Sequence, residues 1–415
     1  MKFDTIIIGG GLSGLMAGVR LTADGQKVAI ISSGQSALHF LSGSLGLLGK
    51  LNGAEVEHPV EAIRQLPASH PYAKVGADNI ERLATAATDI FGHAHLTVKG
   101  SAERNHHFLT AVGNAEPTWL TMGDFATADS AGDRPFSRVA IINLRGYLDF
   151  YPEFIANGLH RMGVDTESYS IALPVIERLR KNSSEMRAAT IAKVLKGDTL
   201  TQLAGEINRV AARADAVLMP AVVGLDSEKH FRRLREMVNK PLHCVAVLPM
   251  SVSGLRAQKC LRDLFEKQGG TYLLGDSVTH GYMTDGRLTA VDTANLAPIQ
   301  LKADNFILAT GSFFSQGLIA EPNRIYEPVF GVDLVYPADR RDWFDKDLFA
   351  HQPFMGFGVD TNNSFQTKKD GTVIPNLYAV GAILAGSDPI HEGSGGGIAI
   401  MTALAVAEHI LNSSK

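Results

Sequence analysis

Short apolar runs alternate with amphipathic stretches along the chain, and the alternation starts at its first residues. Phe3–Ile8 is an apolar, β-branched run that ends in glycines, which is typical of a buried strand in a parallel sheet. Gly11–Asp24 has helical periodicity up to Gly25, and Lys27–Ser32 is a second apolar run. The pattern predicts a β-α-β unit at the start of the sequence.

The middle of the chain continues this alternation after a less regular region. Between residues 34 and 132 only Asn79–Phe91 has clear helical periodicity, and Gly34–Gly49 is rich in glycine and serine. Beyond that region, strands and helices are predicted to alternate at Arg138–Asn143, Phe150–Met162, Asp215–Val223, Phe231–Val238 and Cys244–Pro249. These segments predict a second α/β layer.

The last third of the chain returns to the pattern of its start. Leu255–Gln268 is a predicted helix that ends at a glycine pair, Gly269-Gly270. A strand–turn–strand pattern around Asp285-Gly286 follows. The remaining predicted elements are the buried strand Asn305–Ala309, the strand Leu377–Val380, a glycine loop and the helix Gly396–Leu411.

The order of these elements predicts an α/β fold assembled from both ends of the chain. The expected architecture is a doubly wound, Rossmann-like parallel sheet with an inserted second α/β domain. Residues 1–115 and 249–415 are expected to form the two parts of the first domain, and residues 116–248 the inserted domain. A chain of 415 residues is long enough for two domains.

Composition excludes several classes of protein. With 39 basic and 43 acidic residues the net charge is −4 and no basic patch stands out, so we expect no nucleic-acid partner. Cys244 and Cys260 are the only cysteines, which excludes a disulfide framework and an iron–sulfur cluster within this chain, and no metal site is predicted. The low cysteine content favours a reducing cytoplasm, and because no run of about 18 apolar residues occurs, we expect no membrane-spanning helix.

The candidate chemistry begins with the spacing of three glycines. Gly9, Gly11 and Gly14 form a G-x-G-x-x-G motif between the first strand and the first helix. In dinucleotide-binding folds the first glycine permits a tight turn, the second lets the backbone approach a pyrophosphate, and the third lets helix and strand pack closely. The motif therefore predicts a phosphate site, and the alternative is a packing turn without a ligand.

The end of the second strand differs from the usual dinucleotide pattern. Such strands commonly end in an Asp or Glu that bonds the ribose 2′-OH, whereas this one ends in Ser32 and Ser33. Hydroxyl groups bond a ribose more weakly than a carboxylate does. The sequence therefore supports a phosphate site better than an adenosine site.

Two further glycine motifs resemble those of flavin enzymes related to fumarate reductase and glutathione reductase. Ile307–Gly311 resembles their hydrophobic-Ala-Thr-Gly signature, and Asn376–Gly381, followed by more glycines, resembles their terminal flavin motif. The resemblance implies a bound flavin with contacts from Ala309, Thr310, Gly311, Gly381, Gly386, Gly395, Gly396 and Gly397. A helix that opens with three glycines presents its amides and its positive end to the negative charge of reduced flavin.

Four segments carry a closer resemblance, to the B subunits of anaerobic glycerol-3-phosphate dehydrogenases. They are Gly34–Leu48, Pro249–Arg256, Ala309–Leu318 and Ser394–Gly397. This resemblance implies FMN as cofactor, a flavin-containing A subunit, and a cysteine-rich iron–sulfur C subunit that attaches the complex to the inner membrane. It also implies oxidation of sn-glycerol 3-phosphate to glycerone phosphate, with electrons passed towards a membrane quinone pool in fumarate or nitrate respiration.

The cofactor prediction therefore has two forms. FMN follows from the family, whereas FAD follows from a glycine motif shaped for pyrophosphate. Besides the glycine motifs, cofactor contacts are expected from the residues at and after the end of the second strand. These are Ser32, Ser33, Gly34, Gln35, Ser36, Ser42 and Gly43.

Two residues are candidates for catalysis. His39 follows the second strand, where related flavoproteins bring side chains to the isoalloxazine ring, and it is predicted to tune the flavin or to donate a proton. Arg256 starts a helix after a Ser/Gly-rich turn, where a guanidinium can hold a phosphate or carboxylate. The alternatives are a structural histidine and a surface arginine, and we interpret His391 as a loop residue.

Three functions are consistent with these residues. The favoured prediction is the flavin subunit of a glycerol-3-phosphate dehydrogenase complex, which either oxidises the small-molecule substrate or relays electrons from its partner's flavin. One alternative is a stand-alone soluble flavin oxidoreductase acting on a small hydroxy acid. The other is a non-catalytic, flavin-bound scaffold within the complex.

Overall fold

The computed structural model describes residues 1–413 and divides the chain into two compact units. The first unit consists of Met1–Ala37, Gly46–His95 and the chain from Cys260 onward. The second unit consists of Leu38–Leu45 and Leu96–Lys259. The first unit thus combines the two ends of the chain.

An eight-stranded mixed sheet forms the centre of the first unit. Its parallel strands are, in order, Thr271–Leu274, Val28–Ser32, Lys2–Ile8, Leu301–Leu308 and Thr372–Ala379. The antiparallel strands are Arg287–Thr293, Val278–Thr284 and Gln366–Lys369. Ile6 and Ile7 are fully buried, as expected for the middle of a parallel sheet. The predicted doubly wound α/β fold is confirmed, with antiparallel strands added to it.

Helices and short strand pairs surround this sheet. The helices of the first unit are Leu12–Ala23, Pro59–Ile63, Pro71–Val75, Ala77–His93, Pro389–Glu392 and Gly395–Ser413. The short pairs are Lys50–Leu51 with Ala54–Glu55, Ile319–Ala320 with Ile325–Tyr326, and Leu334–Val335 with Gly358–Val359. A further helix, Val252–Lys267, contains the division between the units at 259/260.

The last helix, Gly395–Ser413, is unusually apolar. By length and composition alone, Gly395–Ser413 is the one helix among residues 1–413 that is able to cross a membrane. However, 61% of its most apolar window is buried inside the protein, including Ile398, Met401 and Leu404. Its composition is therefore that of a core helix packed beside Leu12–Ala23.

The second unit contains its own parallel sheet. The strand order is Asp165–Ile171, Arg138–Leu144, Ala216–Pro220 and Leu242–Val245. Two small antiparallel sheets accompany it: Thr127–Ala128, His106–Leu109 and Ala115–Thr118, and then Ser44–Leu45, Leu120–Met122 and Val98–Lys99. The helices are Pro152–Arg161, Pro174–Leu179, Ala188–Val194, Asp198–Val210 and Lys229–Met237.

The units divide the chain at 37/38, 45/46, 95/96 and 259/260, whereas the predicted domain boundaries lie at 115/116 and 248/249. The first difference arises because His106–Leu109 pairs with Ala115–Thr118, so a hairpin lies across the predicted boundary. The division at 259/260 lies inside the helix Val252–Lys267, whose first part belongs to the second unit and includes Arg256, bonded to Asp124 of that unit. The domain boundaries themselves stay a prediction.

The side chain of Asn376 links three strands of the first unit by hydrogen bonds. Its side-chain oxygen accepts a hydrogen bond from the Leu288 amide at 3.0 Å, and its side-chain nitrogen donates to the carbonyls of Leu288 and Asp304 at 2.7 and 2.9 Å. Asn376 is 2% exposed, so no water replaces these bonds. The first residue of the predicted terminal flavin motif is therefore a structural residue of the sheet.

We expect Asn376→Ala to lower the free energy of unfolding by about 2–4 kcal/mol, because two buried backbone groups of Leu288 lose their partner. Denaturant unfolding of the purified protein measures the change. Asn412→Ala, at an exposed position in the last helix, is the control and is expected to change stability by less than about 0.5 kcal/mol. Equal stability of the two variants would contradict the assignment.

Candidate functional site

The turn after the first strand depends on backbone contacts that only glycine allows. Gly9 has a φ of +116°, and a Cβ there would lie 2.1 Å from the Ala309 carbonyl oxygen. A Cβ at Gly14 would lie 1.9 Å from the Gly9 carbonyl oxygen. The first and third glycines of the motif are therefore required by the packing of the protein itself.

Gly11 is different, because no such packing requires it. Its φ is −79°, and the atom nearest to an added Cβ would be the Cβ of Ser36, at 3.7 Å. The helix Leu12–Ala23 starts directly after it, and the first helical bond runs from the Leu15 amide to the Gly11 carbonyl at 2.9 Å. The amides of this first turn have no partner within the helix, so the open side of Gly11 fits an approaching phosphate.

The side chain of Tyr272 closes the other side of this turn. A Cβ at Gly10 would lie 2.0 Å from the Tyr272 hydroxyl and 2.6 Å from the Ser32 hydroxyl. Tyr272 donates to the Gly10 carbonyl at 3.3 Å, and Ser32 donates to the Gly34 carbonyl at 3.2 Å. The prediction missed Tyr272, although the residue lies in a strand just after the Gly269-Gly270 helix end.

The Ala309-Thr310-Gly311 segment follows the strand Leu301–Leu308 and lies against the turn at Gly9. Gly311 has a φ of +81°, and a Cβ at Gly317 would lie 1.9 Å from its carbonyl oxygen. The hydroxyl of Thr310 is buried and has no hydrogen-bond partner among residues 1–413. A buried polar atom without a partner costs stability, so this hydroxyl fits a ligand that would bond to it.

The terminal glycines divide into two groups by their contacts. The Gly397 amide donates to the Gly46 carbonyl at 2.7 Å, and a Cβ at Gly397 would lie 2.2 Å from the Tyr72 hydroxyl. By contrast, the amides of Gly395 and Gly396 have no backbone acceptor in the described part of the chain. Two amides at the positive end of a 19-residue helix therefore fit the anionic edge of a flavin.

Gly381 and Gly386 serve internal packing. Gly381 has a φ of +76°, its amide donates to the Thr402 hydroxyl at 2.9 Å, and a Cβ would lie 2.1 Å from the Ser13 hydroxyl oxygen. A Cβ at Gly386 would lie 2.5 Å from the Ser69 carbonyl oxygen. Packing within the first unit therefore requires both glycines, and their predicted cofactor contacts stay a prediction.

A buried network that the prediction missed holds the loop before the last helix. The Glu392 carboxylate accepts hydrogen bonds from His70 Nε2 at 3.2 Å, the Asp388 amide at 3.0 Å and the Ser394 hydroxyl at 2.7 Å. Burial raises the pKa of Glu392, but these bonds outweigh burial and hold its pKa below the ordinary value. His70 Nδ1 accepts from the Tyr72 amide at 3.1 Å, which places the ring proton on Nε2.

His391 precedes this carboxylate and is exposed. Its Nδ1 lies 2.8 Å from Asp388 Oδ2, and His351 Nε2 lies 3.1 Å from the same oxygen. The Asp388 carboxylate also accepts from the amides of Ile390 and His391. His391 lies in the short helix Pro389–Glu392 rather than in an irregular loop.

His39, Ser42 and Gly43 belong to the second unit. His39 is 8% exposed, its Nδ1 is buried without a partner among the described residues, and burial lowers its pKa although a hydrogen bond with Gln258 opposes this. The Ser42 and Ser44 hydroxyls lie 3.1 Å apart. A Cβ at Gly43 would lie 2.3 Å from the Phe125 ring, so that glycine is required by packing.

Arg256 also lies in the second unit, and it is 1% exposed. Its guanidinium donates to Asp124 Oδ2 at 2.7 Å and to the Gly224 carbonyl at 2.8 Å, while its Nε has no partner in the described chain. A surface arginine, the alternative interpretation of the sequence, is therefore wrong. The arginine joins two loops of its unit through a buried ion pair, and its role in catalysis stays a prediction.

The first unit contains most of the predicted cofactor residues, and the second unit contains Ser42 and Gly43. Gly9, Gly11, Gly14 and the Ala309–Gly311 segment meet at one turn, while Ser33 and Gln35 are exposed and Gly34 has open space around it. Ser36 lies beside Gly11. The groups left available for a ligand are the first amides after Gly11, the Thr310 hydroxyl, and the Gly395 and Gly396 amides.

Known proteins match the chain over its full length. The sequence profile of the FAD binding domain family matches residues 4–398. The B subunit of anaerobic glycerol-3-phosphate dehydrogenase from Yersinia enterocolitica is 41% identical over 100% of this chain and 99% of its own. Its counterpart from Pectobacterium carotovorum is 38% identical over 100% of both chains.

The chain belongs to the family of anaerobic glycerol-3-phosphate dehydrogenase B subunits. The predicted family is confirmed, and with it a flavin as cofactor. Among solved structures, 3-ketosteroid delta1-dehydrogenase from Sterolibacterium denitrificans aligns with 99% of this chain and 100% of its own, at 12% identity and a TM-score of 0.44.

In this member of the B-subunit family, we expect Gly11→Val to abolish flavin binding while the fold survives. The backbone at Gly11 suits any residue, so the added side chain strains nothing but fills the space that a phosphate needs. Flavin absorbance per chain in the purified variant is the measurement.

Gly205→Val is the matched control, because a Cβ at Gly205 meets nothing within 4 Å and the residue lies on an exposed helix face of the second unit. That variant is expected to keep its flavin. Full flavin occupancy in Gly11→Val would show that the turn does not bind phosphate.

Proposed function

We propose that this chain is the flavin subunit of a glycerol-3-phosphate dehydrogenase complex. The observation that carries the proposal is the full-length relationship to B subunits of that enzyme, at 41% identity over 100% of the chain. The reaction is the oxidation of sn-glycerol 3-phosphate to glycerone phosphate, with electrons passed towards a membrane quinone pool. The available amides and hydroxyl of the first unit support a bound redox cofactor.

We infer that the flavin is FAD rather than the FMN that the family resemblance implies. The matching profile is that of an FAD binding domain, and the single open glycine of the turn is the one that faces pyrophosphate in such folds. Against FAD, no carboxylate ends the second strand, and the Ser32 hydroxyl already bonds Gly34. The mass of the cofactor released from pure protein distinguishes FAD from FMN.

The residues of this chain suit the chemistry of alcohol oxidation. A bound flavin supplies a hydride acceptor for C2 of the substrate. The amides of Gly395 and Gly396 stabilise negative charge at the helix end, and the Thr310 hydroxyl offers a further hydrogen bond. Hydride removal from an alcohol also requires a base for the hydroxyl proton, and buried, neutral His39 with a partnerless Nδ1 is the candidate.

We expect His39→Gln to lower kcat by about 10²- to 10⁴-fold, which is the usual contribution of a general base. The base acts in its neutral form, and burial lowers the pKa of His39 below 6.5, so wild-type activity should fall as the pH drops below that value. The measurement is kcat against pH for the complex with the two proposed partner subunits, assembled with either the wild-type chain or the variant. A wild-type acid limb that persists unchanged in the variant would exclude His39 as the base.

We propose that the chain works beside a flavin-containing A subunit, together with an iron–sulfur C subunit that holds it at the inner membrane from the cytoplasmic side. An iron–sulfur cluster needs more cysteine ligands than the two of this chain, so any such cluster on the electron path lies on another chain. We therefore propose that electrons from this chain reach the quinone through the partner subunits.

The test compares the chain alone with the chain co-purified with its two proposed partners. We expect the complex to oxidise sn-glycerol 3-phosphate with a quinone analogue, and the isolated chain to turn over slowly or not at all with an artificial acceptor. Rapid turnover by the isolated chain would favour a stand-alone oxidoreductase. A bound flavin that the substrate never reduces in the complex would favour a scaffold.

A further inference from the structure

The second strand of the central sheet ends without the carboxylate that dinucleotide-binding folds commonly place there. Val28–Ser32 ends in a serine, and Ser33 follows it. In such folds an Asp or Glu at this position accepts a hydrogen bond from a ribose, while the pyrophosphate lies at the glycine turn. If this chain binds the adenosine half of a dinucleotide, a carboxylate for the ribose has to come from another element.

The neighbouring strand brings a carboxylate to the same edge of the sheet. Thr271–Leu274 pairs in parallel with Val28–Ser32, with its last residue opposite Ser32. Just beyond that pair, the amides of Gly275 and Asp276 both donate to the Ser32 carbonyl, at 2.7 and 3.2 Å. Asp276 is therefore held directly beside the carboxyl end of the second strand, where ligands of open α/β sheets bind.

The Asp276 carboxylate uses one of its two oxygens within the protein. Oδ1 accepts hydrogen bonds from the amides of Ser277 and Asn295, at 2.8 and 3.0 Å. Oδ2 has no hydrogen-bond partner and no ion pair among residues 1–413. An ionised carboxylate has acceptor sites on both oxygens, so the turn that follows the strand accounts for only half of this group.

Burial makes the unused oxygen costly. Asp276 is 5% exposed, so water has little access to its carboxylate. A buried charge that has no cation beside it needs hydrogen-bond donors in place of the water that it has lost. The protein supplies donors to Oδ1 alone, and hydroxyl groups of a ligand are suitable donors for Oδ2.

The end of the second strand also borders the glycine turn. A Cβ at Gly10 would lie 2.6 Å from the Ser32 hydroxyl oxygen, so the strand end and the turn are in contact. Gly11 has its open side at this turn, and a Cβ at Gly34 would meet nothing within 4 Å. The predicted phosphate position, Ser32 and Asp276 thus follow one another across the carboxyl ends of three adjacent strands.

FAD and FMN differ in the part of the cofactor that would reach this position. Both contain the flavin ring, a ribityl chain and a phosphate, but only FAD continues through a second phosphate to adenosine. The ribose of that adenosine carries two hydroxyl groups, and each is able to donate to a carboxylate. Hydrogen bonds to an ionised acceptor are stronger than those between neutral groups, so one carboxylate is able to separate the two cofactors by affinity.

We propose that Asp276 binds the ribose hydroxyls in the adenosine half of FAD and so selects FAD over FMN. The carboxylate that the second strand lacks is supplied by the strand next to it. The Ser32 hydroxyl, which donates to the Gly34 carbonyl at 3.2 Å, then holds the strand end rather than the ribose. This inference rests on the proposed function, in which the chain carries FAD.

Asp276→Asn tests the assignment with little change in shape. The asparagine oxygen still accepts from the Ser277 and Asn295 amides, whereas an NH₂ group stands in place of Oδ2 and cannot accept a bond from a hydroxyl. Cofactor-free protein is titrated separately with FAD and with FMN, and binding is followed by flavin fluorescence. We expect FAD binding to weaken about 10-fold or more and FMN binding to stay unchanged.

Asp4→Asn is the matched control. Asp4 Oδ2 accepts from the Lys27 amide at 2.7 Å, at the opposite edge of the same sheet, where the second strand begins. This variant should bind both flavins as the wild type does. An equal loss of FAD and FMN affinity in Asp276→Asn, or no loss of either, would overturn the proposal.

A second measurement changes the ligand instead of the protein, so it holds even if Asp276→Asn does not fold. ADP carries the adenosine half without a flavin, and 2′-deoxy-ADP and 3′-deoxy-ADP each lack one ribose hydroxyl. In calorimetry of the cofactor-free wild type, we expect ADP to bind, to compete with FAD, and to lose affinity about 10-fold when a bonded hydroxyl is absent. Equal affinity of the three nucleotides, or no binding of ADP, would refute the site.

The outcomes separate this inference from the proposed function. If the wild type binds FMN more tightly than FAD, the selection by Asp276 falls and the proposed flavin subunit stands. If FAD binds equally to wild type and Asp276→Asn, the role of Asp276 falls and FAD stays the cofactor. If neither flavin binds while ADP binds through its ribose hydroxyls, the nucleotide site stands and the proposed flavin subunit falls.

Discussion

The first unit depends on main-chain segments that approach each other more closely than any side chain permits. Gly9 accommodates the Ala309 carbonyl, and Gly14 accommodates the Gly9 carbonyl, so a strand end, a helix start and a second strand end meet at one point. At Gly381 and Gly397 the space of a side chain is taken instead by the hydroxyl groups of Ser13 and Tyr72. Of the three glycines in the first motif, Gly11 is the one that these contacts do not require, and its open side stays the predicted position of a phosphate.

A glycine motif therefore combines two physical roles that its spacing does not distinguish. Gly9, Gly14, Gly43, Gly386 and Gly397 make room for other parts of the protein. Gly11 leaves open space, and Gly395 and Gly396 leave backbone amides, that are available to a ligand. The difference appears only when the neighbours in space are known, because a Cβ that meets a carbonyl and a Cβ that meets open space look the same in a sequence.

The periodic parts of the fold were predictable, and the parts built from distant partners were not. Apolar runs identified the buried parallel strands, but the edge strand Asp165–Ile171 is mostly exposed and polar, so no such run marks it. The helix Asp198–Val210 was missed although it buries Leu200, Leu203 and Ile207 at helical spacing.

Within the candidate site, the same distinction holds. The three glycine motifs were found because their spacing is local. The His70–Glu392 pair joins residues 322 positions apart, and Arg256 meets Asp124 across 132 positions, so neither pairing has a local signal. Tyr272 covers the turn at Gly10 because its strand pairs with Val28–Ser32, which the sequence order of the elements did not reveal.

The position of Lys2–Ile8 has a consequence for biosynthesis. This first strand is flanked by Val28–Ser32 on one side and by Leu301–Leu308 on the other. At about 5–20 residues per second, the ribosome needs roughly 15–60 s between making the strand and making its second neighbour. During that interval one edge of an apolar strand lacks its partner, and such an edge is a template for association with other chains. The nascent polypeptide therefore keeps this edge unpaired until its final third emerges.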